Sequence, residues 1–155
     1  MSMDIYAENI LDHFRHPRNF RNPSEIGNLP RTDPEPGDGS GAWVDHEEWN
    51  HACGDSLHLW LKLDAGNIAH VGWTGTGCAI SQASMSILSD ELPGMSEGEA
   101  LKLTKEDTYK LLGVTIGPRR FKCALMSLHT VKNALLKARG KPLQGWVETI
   151  GTKHE

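Results

Sequence analysis

Hydrophobic and polar residues alternate with a period of two in the middle of the chain, which predicts a β-hairpin. Leucines occupy every second position of one segment, the pattern of a strand with a single buried face: Leu57, Leu59, Leu61 and Leu63. Turn-forming residues follow at positions 64–67, and residues 68–73 are predicted to form the returning strand. A weaker alternation over residues 43–49 predicts a third strand. We therefore expect a small antiparallel sheet.

The hydrophobic residues on either side of this sheet recur at helical spacing. Residues 4–14 place Tyr6, Ile10 and Phe14 on one stripe of a first helix. A second helix is predicted to begin near Cys78 and to end before Pro93. The last long helix carries its apolar stripe at every third or fourth residue and is closed by glycine and proline: Leu125, Leu128, Val131, Leu135, Gly140 and Pro142.

Two short helices are predicted between these long ones. Ser96 with Glu99, and Thr104 with Asp107, have the spacing of an N-terminal capping box. Gly113 is placed to end the second of them. The fold class expected is α+β, a three-stranded antiparallel sheet with helices packed on one face.

The length of 155 residues predicts a single domain, spanning 1–155. Prolines and glycines concentrate in residues 22–41, which predicts a flexible loop within that domain. Residues 141–155 are interpreted as a tail, to which the sequence assigns no role. No run of residues is long enough to span a membrane, and the first residues lack the pattern of a signal peptide.

Three cysteines are the strongest candidates for chemistry. They are Cys53, Cys78 and Cys123, and an odd number without an export signal indicates a reducing cytoplasm and argues against a disulfide framework. Cys78 and Cys123 each lie at a predicted helix start, where unpaired N–H groups favour a thiolate. Asp55 is two residues after Cys53, so in extended backbone both side chains point the same way. Three thiolates and one carboxylate would form a four-coordinate site for zinc or an iron–sulfur cluster.

The charge distribution bears on the same site. The net charge of −4 argues against nucleic acid as the main partner. Residues 108–147 nevertheless contain eight Lys or Arg and no Asp or Glu. Such a block is most often a solvated helix face, but Lys122 directly precedes Cys123 and is a candidate for electrostatic activation of that thiol. We interpret His51 as an exposed loop residue, His129 as a surface or core-edge residue, and the five tryptophans as core or interface residues.

Three sequence blocks resemble one known family. They run from Ala52 to Asp55, from Gly77 to Ser84, and from Lys122 to Leu125. In this order they resemble the signature blocks of the U-type iron–sulfur cluster assembly scaffolds, which include IscU, SufU and the N-terminal domain of NifU. The segment from Tyr6 to Asn19 is similar to the family's first helix and the turn that follows it. Together with the three blocks, the resemblance covers residues 4–139.

The resemblance implies that Cys53, Asp55, Cys78 and Cys123 bind zinc or a transient [2Fe–2S] cluster. It implies a cysteine desulfurase as the sulfur donor, with Cys53 or Cys123 accepting the persulfide sulfur, and apo iron–sulfur proteins as recipients. Neither nucleic acid nor a membrane is expected as a partner. Only a proline and a basic residue match the chaperone-binding segment of IscU, around Pro118, which argues against an Hsp70-type chaperone partner.

Two features of the chain keep a second function open. Members of the IscU type carry a histidine before the last cysteine, whereas this chain has Lys122, as SufU-type members do. The chain also lacks the insertion typical of SufU between Cys78 and Cys123. The expected function is a scaffold that builds a cluster and transfers it, and the alternative is a zinc-dependent sulfurtransferase served by a SufS-type desulfurase. A cysteine hydrolase and a zinc-stabilised interaction module are the remaining alternatives.

Overall fold

A three-stranded antiparallel sheet forms one layer of the protein. The computed structural model describes residues 2–20, 42–50, 54–113, 116 and 120–150. Within them the strands are β1 (Ala42–Asn50), β2 (Asp55–Asp64) and β3 (Asn67–Thr76), and β2 lies in the centre. Ala65 and Gly66, with φ of 53° and 82°, make the tight β2–β3 turn. This confirms the predicted sheet, while the predicted flexible loop at 22–41 lies outside the described residues.

The leucines of β2 point into the core, as their alternation predicts. Leu57, Leu59 and Leu61 are fully buried, and Trp73 of β3 packs beside them with no exposed surface. The residues between these leucines are only half-buried. One face of the sheet therefore supports the core, and the side chains of Asp55 and Leu57 belong to that same face.

Six helices complete the described part of the chain. They are α1 (Ser2–Arg15), α2 (Ala79–Glu91), α3 (Glu97–Leu101), α4 (Lys105–Leu112), α5 (Phe121–Ala138) and α6 (Trp146–Ile150). Helix α5 lies across β1 and β2 and packs against α2, so these two helices form the second layer. None of the helices described has the length and apolar character needed to cross a bilayer. The α+β class is confirmed.

The helix boundaries follow the predicted capping chemistry. Ser96 and Thr104 begin α3 and α4, and each forms a complete capping box with the residue three positions later. Gly113 ends α4 in the left-handed conformation, with φ of 75°. Of the stripe predicted for α1, Ile10 packs against the core whereas Phe14 stays 39% exposed.

Helix α5 is buried much more completely than its apolar stripe predicts. The side chains of α2 and α5 interlock through Ser84, whose hydroxyl donates to the Ala124 carbonyl at 2.6 Å and lies 2.7 Å from the Ser127 hydroxyl. Because these small polar side chains find partners, the helices can pack closely on polar positions as well. The prediction of a surface or core-edge position for His129 is wrong, since only 3% of that residue is exposed.

The C-terminal segment folds back onto α5 and covers His129. The His129 ring stacks on Trp146 with ring centroids 4.2 Å apart, and its Nδ1 lies 2.6 Å from the Thr149 hydroxyl. Gln144 and Asn133 exchange two hydrogen bonds, since the Gln144 N–H donates to Asn133 Oδ1 and Asn133 Nδ2 donates to the Gln144 carbonyl. Gln144, Trp146 and Thr149 of the predicted tail thus contact the core helix.

Candidate metal centre

Asp55 supplies a buried carboxylate at the start of the central strand. It is the first residue of β2 and only 1% exposed. Gly54 precedes it with φ of 75° and donates its N–H to the Asn50 carbonyl at 2.8 Å, which links the start of β2 to the end of β1. As the first residue of β2, Asp55 places its carboxylate at the end of the sheet, on the side covered by helices.

Cys78 is the N-cap residue of α2, and it lies beside this carboxylate. Its backbone N–H donates to Asp55 Oδ1 at 3.0 Å, so the aspartate binds the first turn of the helix through one of its two oxygens. The residue is half-buried. An anion at this position is favoured by the unpaired N–H groups of the helix start.

Cys123 approaches the same point from the other layer. It lies in the first turn of α5 and is 3% exposed. One ligand atom from each of Asp55, Cys78 and Cys123 lies within 4.8 Å of the other two. The starts of two helices and the start of one strand therefore bring two sulfurs and one carboxylate oxygen together.

The donor set fits a thiophilic metal ion or an iron–sulfur cluster. Asp55 Oδ2 is buried and has no hydrogen-bond partner among the described residues. A buried carboxylate oxygen without a partner is costly, and a bound cation would supply that partner. Thiolate sulfur with one carboxylate oxygen suits zinc or iron rather than magnesium or calcium.

Cys53, the remaining predicted ligand, lies outside the described residues. Its place in the site stays a prediction, which rests on its position two residues before Asp55. His51, predicted to be an exposed loop residue, lies outside them as well.

Lys122 points along α5 toward the C-terminal segment. Its Nζ lies 5.7 Å from the centroid of the Trp146 ring, the geometry of a cation–π contact. The predicted electrostatic effect of Lys122 on Cys123 stays a prediction. The ring contact restrains the side chain adjacent in sequence to the cysteine.

A second polar group, which the sequence analysis did not detect, lies between β1 and α5. Glu48 Oε2 lies 2.8 Å from His46 Nε2 and 3.6 Å from His129 Nε2, and it accepts from Asn133 Nδ2 at 2.8 Å. Burial raises the pKa of Glu48, but the hydrogen bonds from His46 and Asn133, together with the charges of His129 and His46, outweigh it and the net shift is downward. Burial lowers the pKa of His129. The one signal in the sequence was the alternation of β1, which places His46 and Glu48 on the inner face.

The comparisons with known proteins match this chain over most of its length. The family model of the NifU-like N-terminal domain matches residues 5–144. The iron–sulfur cluster assembly scaffold protein IscU of Thermotoga maritima is 32% identical over 149 residues, with 86% of this chain and 94% of the relative covered. The mitochondrial iron sulfur cluster assembly protein 1 of Schizosaccharomyces pombe is 31% identical over 153 residues, covering 97% of this chain and 71% of the relative.

Two further matches bear on function type and fold. The zinc-dependent sulfurtransferase SufU of Bacillus subtilis is 28% identical over 155 residues, with 88% of this chain and 92% of the relative covered. Among solved structures, an N-terminal NifU-like protein from Brucella abortus superposes with a TM-score of 0.65 at 17% identity, covering 92% of this chain and 100% of that one. At that identity the structural match supports the fold alone.

Proposed function

Because the chain belongs to the NifU-like N-terminal domain family, the U-type iron–sulfur cluster assembly scaffolds, we propose that it builds a transient [2Fe–2S] cluster and transfers it to apo-proteins. The cluster is the cargo of this protein rather than a resident cofactor. The proposed ligands are Cys53, Asp55, Cys78 and Cys123. The reducing cytoplasm is the compartment that keeps such thiols available.

One observation carries the proposal. Asp55, Cys78 and Cys123 meet within 4.8 Å, although they come from positions 23 and 45 residues apart along the chain. Asp55 also carries a buried oxygen, Oδ2, for which the described part of the chain supplies no hydrogen-bond partner. Packing alone gives no reason to bury a carboxylate oxygen without a hydrogen bond, whereas an iron ion would satisfy it.

Sulfur reaches the site by transfer from the persulfide of a cysteine desulfurase. A thiolate of this chain, Cys53 or Cys123, attacks the terminal sulfur, a new S–S bond forms, and the desulfurase thiolate leaves. This step moves neutral sulfur without net oxidation or reduction. Its later conversion to sulfide draws electrons from ferrous iron and from an external reductant. Because Cys123 is buried, its use as the acceptor requires the first turn of α5 to move.

The carboxylate ligand suits a site that must release what it builds. A carboxylate is a harder donor than a thiolate and binds the soft iron–sulfur unit less well. Asp55 also holds the Cys78 N–H through its other oxygen, so the ligand remains positioned when the cluster leaves. A mixed site of this kind favours transfer over permanent retention.

Anaerobic reconstitution with ferrous iron and sulfide tests the proposal. The expected result is visible charge-transfer absorption that is lost in Cys78→Ala and in Cys123→Ala, together with transfer of the cluster to an apo-ferredoxin. Ser84→Ala, altered in the interface of α2 and α5 rather than at the ligands, is the matched control and should keep the absorption. Wild-type protein that binds no iron under these conditions would overturn the proposal.

A zinc-dependent sulfurtransferase is the second candidate. Lys122 before the last cysteine favours it, and one relative, from Bacillus subtilis, carries that name. In this case the same residues would hold zinc, and persulfide sulfur would pass through Cys53 or Cys123 without cluster formation. Tightly bound zinc, faster turnover of a cysteine desulfurase and no cluster on reconstitution would select this function over the scaffold.

A further inference from the structure

The side of the sheet opposite the core carries a row of aromatic rings. The rings come from four consecutive residue pairs of β1 and β2 on this outer face. In these pairs Trp43 lies opposite Lys62, Asp45 opposite Trp60, Glu47 opposite His58, and Trp49 opposite Ser56. Neighbouring pairs on one face are two residues apart along each strand, a distance of roughly 6.6 Å, so the row of rings extends over about 20 Å. It begins at the end of the sheet where Asp55 lies.

These rings are not part of the core. None of the three tryptophans belongs to the hydrophobic clusters that the described residues form, and Trp49 is 51% exposed. Trp43 and Trp60 are half-buried, and tryptophans that remain partly exposed in one row are typical of the central residues of interfaces.

Two carboxylates flank the middle of the row. The Asp45 carboxylate binds His58 Nε2 at 2.7 Å and has a half-exposed side chain, at 49%. The Glu47 carboxylate lies 3.8 Å from His58 Nδ1 and is 46% exposed. His58 in turn stacks on Trp60, with centroids 3.8 Å apart and planes inclined by 15°. The carboxylates thus hold the aromatic stack in place while keeping part of their own surface open to solvent.

We propose that this outer face docks an arginine-containing segment of a partner protein. A guanidinium group stacks on an indole ring and pairs with a carboxylate at the same time, and this face presents both groups side by side. The same carboxylates repel phosphate, which disfavours the stacking of single-stranded nucleic acid on these rings. The basic residues Lys62 and His70 lie beside Trp43, at the end of the sheet far from Asp55. The segment therefore binds over the acidic centre of the row and the end nearest Asp55.

This docking face is independent of the metal centre. Its residues point away from the face that carries Asp55 and Leu57. A partner bound there would not contact the proposed ligands, because Asp55 lies on the opposite face of the sheet. Failure of cluster assembly would therefore not test this proposal, and failure of docking would not test the scaffold function.

Titration with a synthetic Arg-Ser-Gly repeat peptide at low ionic strength tests the inference. The expected result is that amide chemical-shift changes map to β1 and β2. The double variant Asp45→Asn/Glu47→Gln and the single variant Trp60→Ala should each weaken binding by about fivefold or more. The matched control is Glu91→Gln/Glu106→Gln, which removes the same charge from exposed positions on α2 and α4 and should change the affinity by less than about twofold.

Three outcomes would overturn the proposal. The first is equal weakening in the control double variant, which would indicate unspecific attraction to an acidic protein. The second is a set of shifts that maps away from β1 and β2. The third is binding of an oligothymidylate or a neutral β-glucan at this face in place of the arginine peptide. Asp45→Asn/Glu47→Gln removes the two carboxylates that contact His58, so its fold is verified by an unchanged amide spectrum outside β1 and β2.

Discussion

Gly77 lies directly against the carboxylate of Asp55, and no larger residue fits there. A Cβ atom at Gly77 would lie 2.8 Å from the Asp55 Cγ, and the φ of Gly77 is 146°, in the region that favours glycine. The close approach lets the chain enter α2 so that the next N–H, that of Cys78, reaches Asp55 Oδ1. A residue without chemistry of its own thus fixes the distance between two proposed ligands.

Replacing Gly77 by alanine should therefore impair metal binding more than stability. The added methyl group displaces the Asp55 carboxylate, while the positive φ costs about 1–3 kcal/mol of unfolding free energy. Gly94→Ala is the matched control, because Gly94 has φ of 93° but open space around its Cβ position. We expect Gly77→Ala to lose at least as much stability as Gly94→Ala in urea titrations, and only Gly77→Ala to lose cluster reconstitution. Equal reconstitution in the two variants would contradict the proposed role of Asp55.

Substituting cysteine for Asp55 should convert a releasing site into a retaining one. A fourth thiolate binds the soft cluster more tightly than the carboxylate does, so transfer to a chelator or to an apo-ferredoxin should slow several-fold. Asp64→Cys, at the other end of β2, keeps the number of thiols equal and serves as the control. Stopped-flow absorption of cluster loss measures both rates. Faster loss from Asp55→Cys than from the control would show that the carboxylate does not tune release.

Local sequence signals were sufficient for most of the fold. The period-two leucines of β2, the turn at Ala65 and Gly66 and the two capping boxes each depend on a few neighbouring residues, and each is confirmed. The approach of Asp55 to Cys78 and Cys123 is different in kind, since it depends on how two helices cross the sheet. Helix-start positions indicated where the thiols would lie, but only the packed layers show that they share one point.

The burial of His129 and the packing of the C-terminal tail were not predicted, and both have the same physical cause. The residues near His129 in the sequence do not indicate that it is buried, because the groups that contact its ring nitrogens come from β1 and from residues 144–149. A histidine is accommodated inside when distant groups satisfy both ring nitrogens, and sequence spacing on its own helix does not reveal such groups. The same holds for the tail, whose docking depends on Asn133 and Trp146 meeting their partners across the α5 surface.

The burial of His129 predicts a loss of stability in mildly acidic solution. Its pKa is lowered from the ordinary value of 6.5, chiefly by burial, so the unfolded chain takes up a proton at a higher pH than the folded one. The stability that the buried, neutral His129 contributes is fully present above pH 6.5. It is lost as the pH falls from 6.5 through the pKa of His129 in the folded protein. Urea midpoints measured from pH 7.5 down to 5 should fall, and His129→Gln should flatten this dependence.

A control separates this effect from general acid sensitivity. His70→Gln alters an exposed histidine of β3 and should leave the slope of the wild type unchanged. Burial also lowers the pKa of His13, which contacts Ser86, so part of the slope should persist in His129→Gln. A slope identical in wild type and His129→Gln would contradict the prediction.

Removal of the Trp146 ring should loosen the C-terminal segment and the Lys122 side chain together. The ring stacks on His129 and lies under the Lys122 ammonium, so Trp146→Ala should cost about 1–3 kcal/mol of unfolding free energy and accelerate hydrogen exchange in residues 144–149. Trp49→Ala, at a 51% exposed position, should cost clearly less. If the two variants lose equal stability, the C-terminal segment does not stabilise α5, and if exchange at 144–149 is unchanged, Trp146 is not what holds it there.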